Sequence, residues 1–183
     1  MTTTTITPRI AQGLWNVDPA HSSVEFHVKH MGIATVKGFF SEFGGSLEVA
    51  EDGTITAGGG VKAASINTRS AQRDEHLRSA DFLDAENHPE LTFRSKSVAQ
   101  LDEDSYRILG ELTIRGVTRD VELHAVTEGV DEDPWGNTRV GLEVSGEIDR
   151  EEFGVTWNRA LESGGVLVGK KVKILLDISA VKA

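Results

Sequence analysis

Apolar residues recur at every second position over much of this chain, and that rhythm restricts the fold more than any other feature. Ser23-Val-Glu-Phe-His-Val-Lys-His30 places Val24, Phe26 and Val28 on one side and Glu25, His27 and Lys29 on the other. Successive side chains of a strand point to opposite faces, so this is a half-buried antiparallel strand. Phe40, Phe43, Gly45 and Leu47 continue the theme after Gly38, and the change of phase at Ser41-Glu42 predicts a bulge or kink. A Gly-rich but extended run follows over 55–63, then Leu91 and Phe93 with Val98, then Ile108, Gly110, Leu112 and Ile114, then Val121, Leu123 and Ala125. Beyond a turn over 131–137 come Val140, Leu142, Val144, Gly146 and Ile148, and last Val172, Ile174, Leu176 and Ile178. The count is about eight strands, and an open sheet of that size leaves edges to protect, so the chain reads as an all-β barrel or sandwich.

One stretch departs from this rhythm. Ala71–Leu83 predicts a helix, with Ser70 as its cap, Asp74 and Glu75 in the first turn, Pro89 beyond its end, and Leu77, Ala80 and Leu83 on roughly one face. A second short turn is expected within 151–157. The Thr-rich residues 1–12 read as a flexible polar tail, leaving 13–183 as one domain, the number a 183-residue chain usually forms.

Charge narrows the partners. With 19 Lys and Arg against 29 Asp and Glu, the net charge is −10, which repels a phosphate backbone unless a local basic stripe overrides the global field. Nucleic acid is therefore not expected. The same charge argues against steering to anionic lipid headgroups, although an exposed apolar opening allows transient membrane contact. The chain has no cysteine, which removes disulfides, thiolate metal sites and thiol nucleophiles together. The first residues show no basic segment followed by an apolar run, so the expected location is cytoplasmic.

Motifs of chemistry are weak. Gly164-Gly-Val-Leu-Val-Gly-Lys-Lys171 resembles a phosphate-binding loop, but Lys171 stands where a hydroxyl is needed and a strand, not a helix, follows. The six histidines, His21, His27, His30, His76, His88 and His124, lack the spacing that sets two imidazoles on one face, so no metal or other cofactor is expected. Carboxylate runs such as Asp102-Glu-Asp104 and Asp131-Glu-Asp133 fall at turns and read as solvated. No catalytic residue is assigned. An eight-stranded barrel is the size at which side chains fill the interior or leave room for one ligand, and Gly38, Gly45, Gly58, Gly60, Gly110 and Gly146 on strands favour the second outcome.

Five ordered blocks carry a resemblance: Trp15-Asn-Val-Asp18 with His21–His30; Val36–Gly45; Arg73–Asp84 leading into His88-Pro89-Glu-Leu-Thr-Phe93; Gly110–Thr118; and Arg150–Trp157. They are similar to the YceI-like family of lipid-binding proteins. The resemblance implies a single antiparallel eight-stranded lipocalin-like β-barrel with one or two short helices, holding a polyisoprenoid or an isoprenoid quinone precursor for carriage or storage. Many members of that family carry a secretory signal and work in the periplasm. On this reading Phe26, Val28, Phe40, Phe43, Phe82, Phe93, Leu112, Ile114, Leu123, Leu142, Val144 and Trp157 line the channel, and His30, Arg73 and Arg150 are candidates for the headgroup, since Arg suits phosphate and His a phenol or carbonyl. Two alternatives stand beside it: an enzyme using His30 or His76 as acid or base on a bound lipid, and a ligand-free structural or interaction module that could form a homodimer through an exposed edge or rim.

Overall fold

The structure, a computed structural model, describes residues 10–183. Its strands are β1 (Gly13–Val17), β2 (Ser23–His30), β3 (Ala34–Phe40), β4 (Phe43–Val49), β5 (Ile55–Lys62), β6 (Ile66–Asn67), β7 (Glu90–Gln100), β8 (Ser105–Ile114), β9 (Val117–Glu132), β10 (Thr138–Asp149) and β11 (Val168–Lys182), with one α-helix, α1 (Ala71–Arg78). Eight of them, β1-β4-β5-β7-β8-β9-β10-β11, form an antiparallel ring that closes where Trp15–Val17 pairs with Ala180–Lys182. The eight-stranded barrel is therefore present, and β2, β3 and β6 are additions to it.

These additions explain the phase change at Ser41-Glu42. β1 and β2 take turns along the same edge of β11, separated by a short turn over Pro19–His21 that Asp18 caps through the Ala20 N–H. β3 pairs with β2, whereas β4 pairs with β1, so the chain must step sideways between Phe40 and Phe43. The step is pinned by Ser65, whose carbonyl accepts from the Ser41 N–H and whose hydroxyl accepts from the Glu42 N–H. On its far side β3 meets only β6, at Phe39 and Phe40, which leaves the edge over residues 34–38 without a strand neighbour. The ring is thus closed by strands at one end and splayed at the other, where β6 and α1 stand in the gap.

The helix is shorter than the sequence suggests. Ser70 caps it as expected, accepting from the Arg73 N–H, and Asp74 turns back to accept from both the backbone and the hydroxyl of Thr68. It stops at Arg78, and the chain over Ser79–Leu83 folds into turns. The extended Ser79 ends it, its N–H and hydroxyl both donating to the His76 carbonyl, and the turns beyond bury Phe82 in the core, where it is 6% exposed.

Two apolar clusters divide the interior. At the closed end Ile10, Trp15, Leu47, Val49, Tyr106, Ile108, Val140 and Ala180 pack together. Ile10 belongs to the stretch expected as a tail; residues 1–9 of that stretch lie outside the described residues. At the splayed end Phe82, Ile114, Ile148, Phe153 and Val155 form the second cluster, with the short turn Arg150–Phe153 supplying Phe153.

Candidate functional site

Between the two clusters lies a cavity of about 520 Å³, within the range typical of sites for small organic ligands. All twelve side chains expected to line a channel lie on its wall, from Phe26 and Val28 on β2 round to Leu142 and Val144 on β10 and Trp157 in the following loop. Phe40, Phe82, Ile114, Leu123, Leu142 and Val144 are buried, whereas Phe26, Val28, Phe43, Phe93, Leu112 and Trp157 are only half-buried. Inward-facing apolar side chains that remain partly accessible border an unfilled interior.

Strand glycines keep that interior open in a particular way. A Cβ on Gly38 would lie 2.3 Å from the Phe26 ring, and one on Gly110 would lie 2.4 Å from the Phe93 ring. Each ring leans across a glycine of the neighbouring strand and lies along the wall. The glycines thus spread aromatic surface over the cavity lining without letting it fill the lumen.

Polar groups gather at the splayed end, where His30, Thr68, Arg73 and His76 reach the wall together with Leu167. Arg73 is exposed and marks the mouth; its Nε and Nη2 donate to the hydroxyl and carbonyl of Thr68. His30, half-buried, ends β2 on the opposite lip. The His76 ring packs edge-on against Phe82 and Trp157, at centroid distances of 5.0 and 4.8 Å, and its Nε2 lies 2.8 Å from Asp81. A histidine and a carboxylate therefore meet here, in an arrangement that fixes the imidazole as part of the aromatic lip.

Arg150, the third headgroup candidate, also borders the cavity, but its guanidinium is engaged by the backbone. It is 5% exposed, and its guanidinium donates to four carbonyls, those of Gly169, Val155, Trp157 and Val168. Burial pulls its pKa below the ordinary arginine value, although the neighbouring Glu151 and Asp149 oppose that. With its donors taken up by the backbone, Arg150 braces the loop that carries Trp157 against the start of β11.

The inner end holds two groups that the alternation reading passed over. Tyr106 on β8 and Gln100 on β7 are directly paired across the strands, and the Tyr106 hydroxyl and Gln100 Nε2 are buried without a hydrogen-bond partner. Burial, with the Asp104 charge, raises the Tyr106 pKa. The signal was available, because Tyr106 has the same parity as Ile108, Gly110, Leu112 and Ile114.

Among the described residues no group of three or more His, Cys, Asp and Glu side chains is placed to hold a metal. The Gly164–Lys171 segment leads into β11, a strand, so it lacks the helix a phosphate loop requires.

The profile of the YceI-like domain matches residues 15–180. A UPF0312 protein of Staphylococcus aureus strain USA300 is 38% identical over 159 residues, covering 85% of this chain and 90% of its own. Among solved structures, BcnA of Burkholderia cenocepacia superposes at a TM-score of 0.77 with 21% identity, covering 89% of this chain and 98% of its own. A polyisoprenoid binding domain from Saccharophagus degradans, implicated in plant cell wall breakdown, superposes at 0.71 with 12% identity, covering 92% and 98%. The cytoplasmic expectation is corrected here: the first residues of the sequence do not place the chain, and its structural neighbours include this domain implicated in plant cell wall breakdown. With a domain match over residues 15–180 and a relative 38% identical along most of its length, the chain belongs to the YceI-like family.

Proposed function

We propose that the chain binds a long apolar lipid, a polyisoprenoid or an isoprenoid quinone precursor, in the barrel cavity, and carries or stores it without altering it chemically. The observation that carries this reading is the cavity of about 520 Å³ walled by partly accessible aliphatic and aromatic side chains. Each methylene transferred from water to such a wall contributes about 0.8 kcal/mol, so a prenyl chain is held with few polar contacts. One methylene more or less then changes affinity only about fourfold, so chain length is read coarsely. His30 and Arg73 stand at the mouth as partners for a polar end that remains in water, while Arg150 holds the loop beside them.

Organic extraction of the purified protein followed by mass spectrometry is the direct test, with a prenyl lipid expected in near-stoichiometric amount. Leu112→Trp should fill the middle of the cavity and abolish uptake of a fluorescent prenyl probe while leaving the β-sheet circular dichroism unchanged. Full uptake by that variant, or an empty extract together with no uptake by the wild type, would refute the reading; the second result favours a ligand-free module.

A further inference from the structure

The net charge of −10 conceals a local reversal beside the cavity mouth. Phe26, Val28, Val36, Val172 and Ile174 line the cavity, so the residues alternating with them on β2, β3 and β11 face outward. Lys37 pairs with His27, and His27 pairs with Lys173, which sets exposed lysines on either side of His27, whose Nε2 is buried without a partner. Exposed Lys29, which also borders the cavity and donates to the Thr35 hydroxyl, and exposed Lys171 follow toward the tip of the β2–β3 hairpin, so four of the chain's eight lysines share this face. Glu147 and Asp149 border it on β10 and Glu25 lies one row farther from the tip, yet among the described residues none of the four lysines is in ion-pair distance of a carboxylate.

The hairpin tip supplies the second half of the argument. Ile33 is 82% exposed and Met31 is 44% exposed, and the Met31 N–H donates to Leu167, tying the tip to a loop that lines the cavity and carries exposed Val166. Nucleic acid and acidic protein surfaces reward the lysines but not the aliphatic tip; an anionic bilayer rewards both.

We propose that the outer face of β2, β3 and β11 docks on an anionic lipid bilayer with Met31 and Ile33 inserted, turning the cavity mouth toward the membrane. Docking is separable from cargo, so the test uses delipidated protein and flotation with vesicles of equal parts phosphatidylglycerol and phosphatidylcholine. Wild type should partition onto these vesicles, lose binding at high salt, and bind pure phosphatidylcholine weakly. Lys29→Gln, Lys37→Gln and Lys173→Gln should each weaken partitioning about fivefold and together on the order of a hundredfold. Ile33→Ser should weaken it about tenfold or more, whereas Lys62→Gln and Lys96→Gln should leave it unchanged. Equal binding to both vesicle types, an unaffected triple variant, or tighter binding to a DNA duplex at the same ionic strength overturns the proposal.

Discussion

Gly38 and Phe26 face each other across β2 and β3, and their pairing shows how single residues set the size of the lumen. A methyl group at Gly38 would meet the Phe26 ring at 2.3 Å, so the ring has to leave the wall and swing toward the barrel axis. Gly38→Ala should therefore cost about 1–3 kcal/mol in urea unfolding, as overpacking does, and should also reduce uptake of a prenyl probe. Unchanged stability with unchanged uptake would mean the ring has another place to go. Tyr106 gives the opposite case at this scale: its hydroxyl is enclosed without a partner, whereas Arg150, equally enclosed, meets four carbonyls. Both are inward polar residues in an apolar shell, and only three-dimensional neighbours distinguish them.

Between elements, Arg139 on β10 joins parts of the barrel far apart in sequence. Its Nη1 lies 2.8 Å from Asp18, where β1 gives way to the turn before β2, and its Nε lies 2.8 Å from Asp133 in the β9–β10 turn. Arg139, and secondarily His21, hold the Asp18 carboxyl down to about 2; the Asn137 N–H, with Arg139, holds Asp133 down to about 2 as well. A carboxyl whose pKa is depressed on folding stabilises the protein above its unfolded value near 3.8, and that contribution is lost as pH falls through about 2. Arg139→Gln should accordingly be less stable than wild type at pH 7 in urea melts, with the gap closing between pH 4 and pH 2. A gap independent of pH would assign the loss to packing. Strands such as β2, β8 and β10 were legible because each obeys a simple period, and the Ser70 cap was legible because capping is local. The separation of β3 from β4 was not, since the step at Ser41-Glu42 depends on which strands lie alongside. The row Lys37, His27, Lys173 was hidden for the same reason: it exists only in the register of three strands.

For the molecule as a whole, ten of the twelve residues expected to line a channel lie on strands, where alternation sorts inside from outside and a barrel has only one inside, whereas Phe82 and Trp157 lie in turns and loops that carry no such signal. Whether that inside is empty could not be named, because it depends on how far each side chain reaches across. On the side away from β2, the stretch of β3 over residues 34–38 lacks a strand neighbour, and the gap beside it is occupied by β6 and α1, held through Asp74, Arg73 and Arg78 to the backbone and hydroxyl groups near Thr68 and Ile66. The ring of eight strands therefore closes without the helix. Displacing α1 breaks a handful of local hydrogen bonds and leaves every ladder of the ring intact. Amide hydrogens over 71–78 should exchange through such a local excursion, with protection independent of urea at low concentration, while those of β8, β9 and β10 exchange only when the entire molecule unfolds. That outcome would make the helix a removable stave: under the proposed function, the interior would be refilled on a timescale fixed by one small segment, with the rest of the barrel undisturbed.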